Sequence, residues 1–453
     1  MNQSDLIIIG AGPGGYRAAE YAAHQGLKVT VFEPSELGGT CLNEGCIPTK
    51  SFARNAEVML TLKEAATYGL QNLSYDLDFA QVVARKQQVV QTLRDGIATL
   101  LSHPNITLVR AAARFVDSHT VCGLAADGTP AAETYTAPHI IIATGSRPKT
   151  LRLERAEGSI LDSRDLLQLD RLPRSLCIVG AGVIGMEFAS IFSAFGSEVT
   201  VVEFLKECLP ALDADIAKRL RKTLEKRGVT FCMQSAVKAI DHGAVTFADK
   251  KGNEQTVVAE QVLMAVGRAP RTEGLNLEAA GISTAPNGAI AVDANCAIPT
   301  VPSVYAIGDV NGRQMLAHAA EAQAVVAVDH ILGKPDESDL SVMPAAIFTH
   351  PEAACVGPSE EQLKEQGTAY TCRKAFYRAN GKALAMNESE GMLKLLSDAS
   401  DRIIACHVYG PHAADLVQEA SVLICRGTTV AQLSQMVHIH PTLSEVLKAA
   451  AQS

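Results

Sequence analysis

One pattern occurs twice in this chain, and it constrains the fold more than any other feature. Leu6–Ile9 reads as a short apolar strand, followed by Gly10-Ala11-Gly12-Pro13-Gly14-Gly15 and a helical stretch to about Gly26. A second strand, Val29–Phe32, ends at Glu33. Later, Leu176–Val179 leads into Gly180-Ala181-Gly182-Val183-Ile184-Gly185, a helix to about Gly196, and a strand Val199–Val202 that ends at Glu203. In both copies the acid stands 23 positions after the first glycine. A lone GxGxxG says little. The strand before it, the helix after it and an acid about 20 residues on make it a dinucleotide fingerprint. Gly10 and Gly180 permit the tight turn, Gly12 and Gly182 let a pyrophosphate approach, and Gly15 and Gly185 let helix and strand pack. The helix N-terminus then favours the phosphate charge. The chain is predicted to be α/β, with two Rossmann-like dinucleotide-binding domains.

Two such folds predict two nucleotides. Glu33 and Glu203 are each placed to accept hydrogen bonds from a ribose diol. Glu203 would repel a 2′-phosphate; only Lys206 follows closely, and no Arg occurs before Arg219. NAD is therefore expected rather than NADP.

Five residues after Glu33 begins Gly38-Gly39-Thr40-Cys41-Leu42-Asn43-Glu44-Gly45-Cys46-Ile47-Pro48-Thr49-Lys50. A thiol pair beside a nucleotide fold lets electrons pass between sulfur and cofactor. Bridged cysteines need Cα atoms within about 7 Å, whereas five residues of regular helix rise roughly 7.5 Å. The segment must therefore leave ideal helix to close a bridge, and Gly45 supplies backbone freedom next to the second sulfur. A strained bridge of this kind is more readily reduced than a structural one. Spacing alone leaves a second reading open, two buried thiols, since cysteine is among the most buried residue types.

The 453 residues exceed one ordinary core and suggest about three domains. An apolar content of 47% with 20% charged residues fits a globular chain, and a net charge of −9 without a basic stripe argues against a nucleic-acid surface. No apolar run reaches the ~18–20 residues of a membrane span. The first strand starts almost at the N-terminus, so no targeting segment is expected. With eleven cysteines that pattern points to a reducing, cytoplasmic setting. No cysteine pair has zinc-ligand spacing, and no metal is expected.

Three further strand ends run into small-residue turns: Ile140–Ser146, Val262–Arg268 and Val304–Asp309. Asp309 falls at the C-terminal end of its strand, where ligands of α/β folds collect. Met315-Leu316-Ala317-His318 is expected to open an Ala-rich helix reaching roughly Ile331, and residues 333–340 read as a linker. From about 342 the chain has no glycine fingerprint and reads as α+β. Near its end stands His438-Ile439-His440-Pro441-Thr442-Leu443-Ser444-Glu445.

Taken in order, the cysteine motif, the double fingerprint, Tyr305–Asp309 and His440-Pro441-Thr442…Glu445 resemble the flavin-dependent disulfide reductases. Within them the chain is similar to the dihydrolipoamide dehydrogenase family, from near residue 5 to near 450. The resemblance implies an FAD-binding domain in two parts, 1–150 and 272–340, an NAD-binding domain at 151–271 and a dimerisation domain at 341–453. It implies that Gly10, Gly12, Gly15 and Glu33 hold the adenosine half of FAD. Lys50 would lie near the flavin, Ala113 would offer a backbone contact, and Asp309 and Ala317 would hold the other half. Gly180, Gly182, Gly185 and Glu203 would hold NAD, with Val237 and Gly267 lining that site and Glu187 pairing with the lysine near the flavin.

Several residues separate the subfamilies. Val183 stands where glutathione reductases commonly carry a Tyr. Thr349-His350-Pro351-Glu352 and Ala385-Met386-Asn387-Glu388 resemble the lipoamide enzymes, and the tail lacks the cysteine pair of mercuric reductases. Two departures stand out: Glu44 occupies a position that is commonly small or apolar, and the helix after His318 lacks the usual Lys and acidic run. The resemblance implies oxidation of a protein-bound dihydrolipoyl group with NAD⁺ as acceptor. Cys41 would exchange with substrate, Cys46 would face the flavin, and His440 would act as base with Glu445 orienting it. It also implies a homodimer in which His440 serves the cysteines of the other subunit. The lipoyl group would come from 2-oxoacid dehydrogenase complexes or a glycine-cleavage lipoyl protein. Alternatives are another NAD(P)H-dependent disulfide reductase of the glutathione-reductase kind, or a non-catalytic FAD-bound redox sensor.

Overall fold

The structure, a computed structural model, describes residues 2–125, 127–335 and 338–453. Asp336 and Glu337, inside the linker read at 333–340, lie outside the described residues. The chain forms two compact units, one of Met1–Ser51, Val83–Lys149 and Arg268–Leu340, the other of Phe52–Val82, Thr150–Gly267 and Ser341–Ser453.

The first unit is built on a six-stranded sheet in the order Ala297–Ile298, Val301–Ala306, His139–Ile142, Leu6–Ile9, Val29–Phe32, Ile106–Val109. The last five strands are mutually parallel, with Leu6 opposite both Val29 and His139. Such a sheet is covered on both faces, which explains strands as uniformly apolar as Leu-Ile-Ile-Ile. Leu6 and Ile8 point to the face carrying the helices Pro13–His24 and Ala317–Ile331. Ile7 and Ile9 point to the other, where Phe115, Val121 and Tyr135 of a second, four-stranded sheet cover them. Ala18, Ala19, Ala22 and Ala23 meet Ala324, Ala327 and Val328 in one cluster, and their small size lets the two helices approach closely.

The second unit repeats the parallel design in five strands: Ile160–Leu161, Gln261–Met264, Ser175–Val179, Glu198–Val202 and Thr230–Cys232. The helix Val183–Phe195 follows the second glycine loop. The unit also contains an antiparallel sheet in the order Ala345–Ile347, Glu352–Val356, Ile403–Gly410, Met392–Ser397, Thr371–Phe376. Helices Ala413–Cys425, Val430–Gln435 and Glu445–Ala451 share that sheet's apolar core. Parallel strands with helices, then an antiparallel sheet with helices, bear out the α/β and α+β expectation. Among the described residues no helix is long and apolar enough to cross a membrane.

Candidate active site

The two glycine loops are copies at atomic detail. Gly10 and Gly180 both have φ near +106°, and Gly12 and Gly182 both cap their helices in extended backbone. A Cβ on Gly10 would stand 2.4 Å from the Ala143 carbonyl oxygen, and one on Gly180 would stand 2.5 Å from that of Ala265. A Cβ on Gly15 or Gly185 would fall 1.9 or 2.0 Å from the carbonyl oxygen of Gly10 or Gly180. No side chain caps either helix N-terminus, and neither first turn holds an acid. Uncapped N–H groups at a dipole's positive end suit a phosphate. Both loops therefore fit a dinucleotide.

The two acids also behave alike. Glu33 accepts from the Ala11 N–H (2.8 Å) and the Ser35 N–H (2.9 Å). Glu203 accepts from the Ala181 N–H (2.5 Å) and the Leu205 N–H (2.7 Å). Each buried carboxylate thus fixes its own glycine loop while keeping lone pairs for a ribose. The Ala11 carbonyl accepts from Gly38 N–H and the Ala181 carbonyl from Leu209 N–H, both at 2.9 Å. Leu209 takes the left-handed backbone (φ +50°) that Gly38 takes at the matching place (φ +96°).

The loops differ in their cover. Gly39 lies directly against Gly12, so that a Cβ on Gly39 would sit 2.7 Å from the Gly12 Cα, whereas a Cβ on Gly182 would meet nothing within 4 Å. The cysteine segment starts from that cover. The helix Gly39–Glu44 breaks at Gly45 (φ −142°, ψ −107°), and a new helix starts at Cys46. This break is the departure from ideal helix that the spacing demanded. Cys41 and Cys46 are half-buried thiols, and Cys41 is hydrogen-bonded to Cys46. That bond, then burial, pushes the Cys41 thiol above its usual range, while Lys50 opposes the shift.

Lys50 lies one turn into the helix Cys46–Lys63, and Ala113 is buried in the strand Ala112–Asp117. Asp309 begins the short helical turn Gly308–Asn311, and Ala317 is the first residue of its helix. Asp309 accepts from the Ser146 hydroxyl, which in turn accepts from Arg268 Nε at 2.7 Å. In the second unit, Val237 sits at a bulge of the strand Ala236–Asp241, and Gly267 has φ +103° just after the strand Gln261–Met264. Glu187 is buried on the helix Val183–Phe195 and accepts from the Phe348 N–H at 2.9 Å.

His440 and Glu445 meet. The ring Nδ1 stands 3.0 Å from one carboxylate oxygen, and the other accepts the Thr442 N–H at 3.0 Å. Asn380 donates to the Thr442 carbonyl at 2.9 Å and pins the turn from the neighbouring element. The His440 side chain is 78% exposed. His438 is different: its side chain is only 7% exposed, with Nε2 on Glu419 (3.0 Å) and Nδ1 near the Met436 carbonyl (3.3 Å). Of the two rings, His440 is the one open to solvent. One group of possible metal ligands converges among the described residues, Glu157, Asp241 and His242, but Arg155 already pairs with both carboxylates.

Residues 4–324 match the family described as pyridine nucleotide-disulphide oxidoreductase, and residues 343–451 match its dimerisation domain. The chain belongs to the pyridine nucleotide-disulfide oxidoreductases. Members similar to it include dihydrolipoyl dehydrogenase 1, mitochondrial, of Arabidopsis thaliana, 38% identical over 99% of this chain and 90% of the relative. The dihydrolipoyl dehydrogenase of Geobacillus stearothermophilus is 37% identical over 99% of this chain and 96% of its own length. Among solved structures, LpdA of Mycobacterium tuberculosis superposes with a TM-score of 0.89 at 28% identity, covering 100% of this chain and 99% of that one. The HOCl-induced flavoprotein disulfide reductase RclA of Escherichia coli, as its Cu(II) complex, gives 0.88 at 29% identity, with 100% and 99% coverage.

As a pyridine nucleotide-disulfide oxidoreductase the chain uses FAD and NAD and carries the family's dimerisation domain. Three features of this oxidoreductase escaped the sequence reading. Ser146 braces Asp309 from 163 positions away in the sequence, and Arg268 holds Ser146. Tyr16 donates to Glu321 at 2.8 Å, joining the helices Pro13–His24 and Ala317–Ile331. Lys394, only 1% exposed, sits on buried Asp213 at 2.7 Å and on Glu360.

Proposed function

We propose that this protein is a dihydrolipoyl dehydrogenase that oxidises a protein-bound dihydrolipoyl group and passes the electrons to NAD⁺. The observation that carries the reading is the company of the Cys41–Cys46 pair: two nucleotide loops and an exposed, carboxylate-oriented His440 in one chain. FAD supplies the two-electron relay between sulfur and nicotinamide. The remaining steps belong to the protein. His440 takes a proton from a substrate thiol at Nε2, while Glu445 holds Nδ1–H and stabilises the charged ring. The substrate thiolate attacks Cys41 in the oxidised pair, the Cys41–Cys46 bond breaks, and Cys46 leaves as thiolate. The second substrate thiolate then closes the substrate disulfide and releases Cys41. Two electrons have moved from substrate to enzyme, and the released protons leave through His440.

Gly10, Gly12, Gly15, Glu33, Lys50, Ala113, Asp309 and Ala317 would hold FAD. Gly180, Gly182, Gly185, Glu187, Glu203, Val237 and Gly267 would serve NAD, with Glu187 paired to Lys50. The domain boundaries at 150, 271 and 340 follow from the same assignment. His440 would act on the cysteines of the other subunit of a homodimer, and the lipoyl group would arrive on a 2-oxoacid dehydrogenase or glycine-cleavage carrier in the cytoplasm. Steady-state turnover of dihydrolipoamide with NAD⁺ should exceed that of glutathione disulfide with NADPH by orders of magnitude. Negligible lipoamide turnover would sink the proposal, and would leave a different disulfide as substrate.

A further inference from the structure

A ring as exposed as that of His440 has little packing to fix it, so its aim depends on the hydrogen bonds behind it. Those bonds form a chain. Glu445 meets the His440 Nδ1 with one oxygen and takes the Thr442 N–H with the other, both at 3.0 Å. The Thr442 hydroxyl donates to the Ile439 carbonyl at 2.7 Å and closes the turn. The Thr442 carbonyl accepts from Asn380 Nδ2 at 2.9 Å. Thr442 is thus held at its N–H by Glu445 and at its carbonyl by a residue 62 positions earlier.

Asn380 is itself firmly placed. It is buried, and both ends of its amide have partners: Oδ1 accepts the Ala383 N–H at 3.0 Å, capping the helix Gly381–Ala385, while Nδ2 serves Thr442. Those partners fix which end is which, because an N–H requires an acceptor and a carbonyl requires a donor. The Asn380 N–H donates to the Tyr377 carbonyl at 2.8 Å. Tyr377 is wholly buried in the core beneath the antiparallel sheet, and its hydroxyl donates to the Pro411 carbonyl at 3.1 Å. An exposed turn is therefore tied through one amide to a residue of the core.

We propose that Asn380 is a positioning residue for the base: by holding the Thr442 carbonyl it fixes the N–H that Glu445 accepts, and so aims the His440 ring. The inference rests on the reading of His440 as the group that takes the proton of a substrate thiol. Without the Nδ2 bond, Thr442 can turn away from Glu445, the carboxylate loses a donor, and the ring loses its aim. Proton transfer to Nε2 needs hydrogen-bond reach to the thiol, so that step slows. The nucleotide loops, on other elements, keep their geometry. Asn380 then has two separable roles: Oδ1 caps a helix and contributes stability, whereas Nδ2 contributes to rate.

Asn380→Asp separates them, since a carboxylate still accepts the Ala383 N–H but has no hydrogen to give Thr442. In the FAD-loaded enzyme it should lower kcat for dihydrolipoamide with NAD⁺ by about tenfold, the scale of a modest misplacement of a reacting group. The KM for NAD⁺ should not move. Nor should the rate of ferricyanide reduction by NADH, in which electrons leave the flavin without a thiol or a base. Asn380→Ser, which keeps a capping oxygen and adds no charge, should behave alike. Ser359→Ala removes the capping oxygen from the helix Glu360–Glu365, where it accepts the Gln362 N–H at 3.2 Å, and should lower Tm with kcat unchanged. A wild-type kcat in Asn380→Asp, or in Asn380→Ser should the first variant not fold, overturns the inference. So does a fall in ferricyanide reduction that matches the fall in lipoamide turnover, or an equal loss of kcat in Ser359→Ala. Failure of the underlying reading looks different: His440→Gln would then keep the wild-type kcat.

Discussion

Glu445 is held below the ordinary carboxylate range, first by the Thr442 N–H and then by His440. A carboxyl lowered in this way keeps its charge as pH falls through the range in which imidazole titrates, so His440 stays oriented there. The acid limb of the lipoamide rate profile should therefore carry a single ionisation. Glu445→Gln should lower kcat by roughly 10²-fold, and His440→Gln by about 10²–10⁴-fold; a two-proton acid limb in the wild type would contradict the geometry. His350 is a second histidine with a legible consequence. Burial first, then Arg227, presses its pKa down to about 4. In the native state it stays neutral between its ordinary 6.5 and 4, whereas the unfolded chain binds the proton there, so stability must fall as pH drops across that window. The loss is on the order of 3 kcal/mol. Glu352 and Glu388, both raised by burial, pull the other way as they take up protons in the native state. His350→Asn should flatten the decline of Tm between pH 6.5 and 4.5 while leaving those two carboxyls as they are.

At the scale of the element, the repeated loop separates glycines needed for folding from glycines needed for binding. A side chain on Gly185 collides with the Gly180 carbonyl, whereas one on Gly182 enters open space at an ordinary backbone conformation. Gly185→Ala should destabilise the protein by about 3 kcal/mol, as overpacking against backbone does. Gly182→Ala should change stability by no more than about 0.5 kcal/mol but raise the KM for NAD⁺ at least roughly tenfold, by filling the space a pyrophosphate would take. Calorimetry and initial rates measured together would tell the two apart. These loops were readable in the sequence because glycine spacing, apolar strand and acid are local and each has one physical cause. Their counterparts were not. Leu209 has no turn chemistry that announces a left-handed backbone, yet it repeats Gly38. Lys394 would be placed at the surface by residue type, and only the three-dimensional position of Asp213 and Glu360 makes its burial tolerable. Ser146 and Arg268 carry no motif, and their support of Asp309 exists only once distant strands pair. His440 and Glu445 were legible as a pair because five residues and one turn bring them together.

For the whole molecule, the assignment of His440 and Cys41 to different subunits of one working site makes a direct prediction. Dimers mixed from His440→Gln and Cys41→Ser chains should regain about a quarter to a half of wild-type lipoamide turnover, since one of two sites in a hybrid is intact. Recovery no higher than either parent would show that each chain works alone. A last consequence comes from the cover over Gly12, which Gly182 lacks. Two identical cradles, one beneath a folded segment and one open, should release their nucleotides on different clocks. A nucleotide held at Gly10–Gly15 would have the Gly39 backbone packed beside its loop, whereas one held at Gly180–Gly185 would have no such neighbour at Gly182. Rapid desalting should strip the second in seconds and retain the first through purification, so the same loop would serve once as a permanent fixture and once as a turnstile.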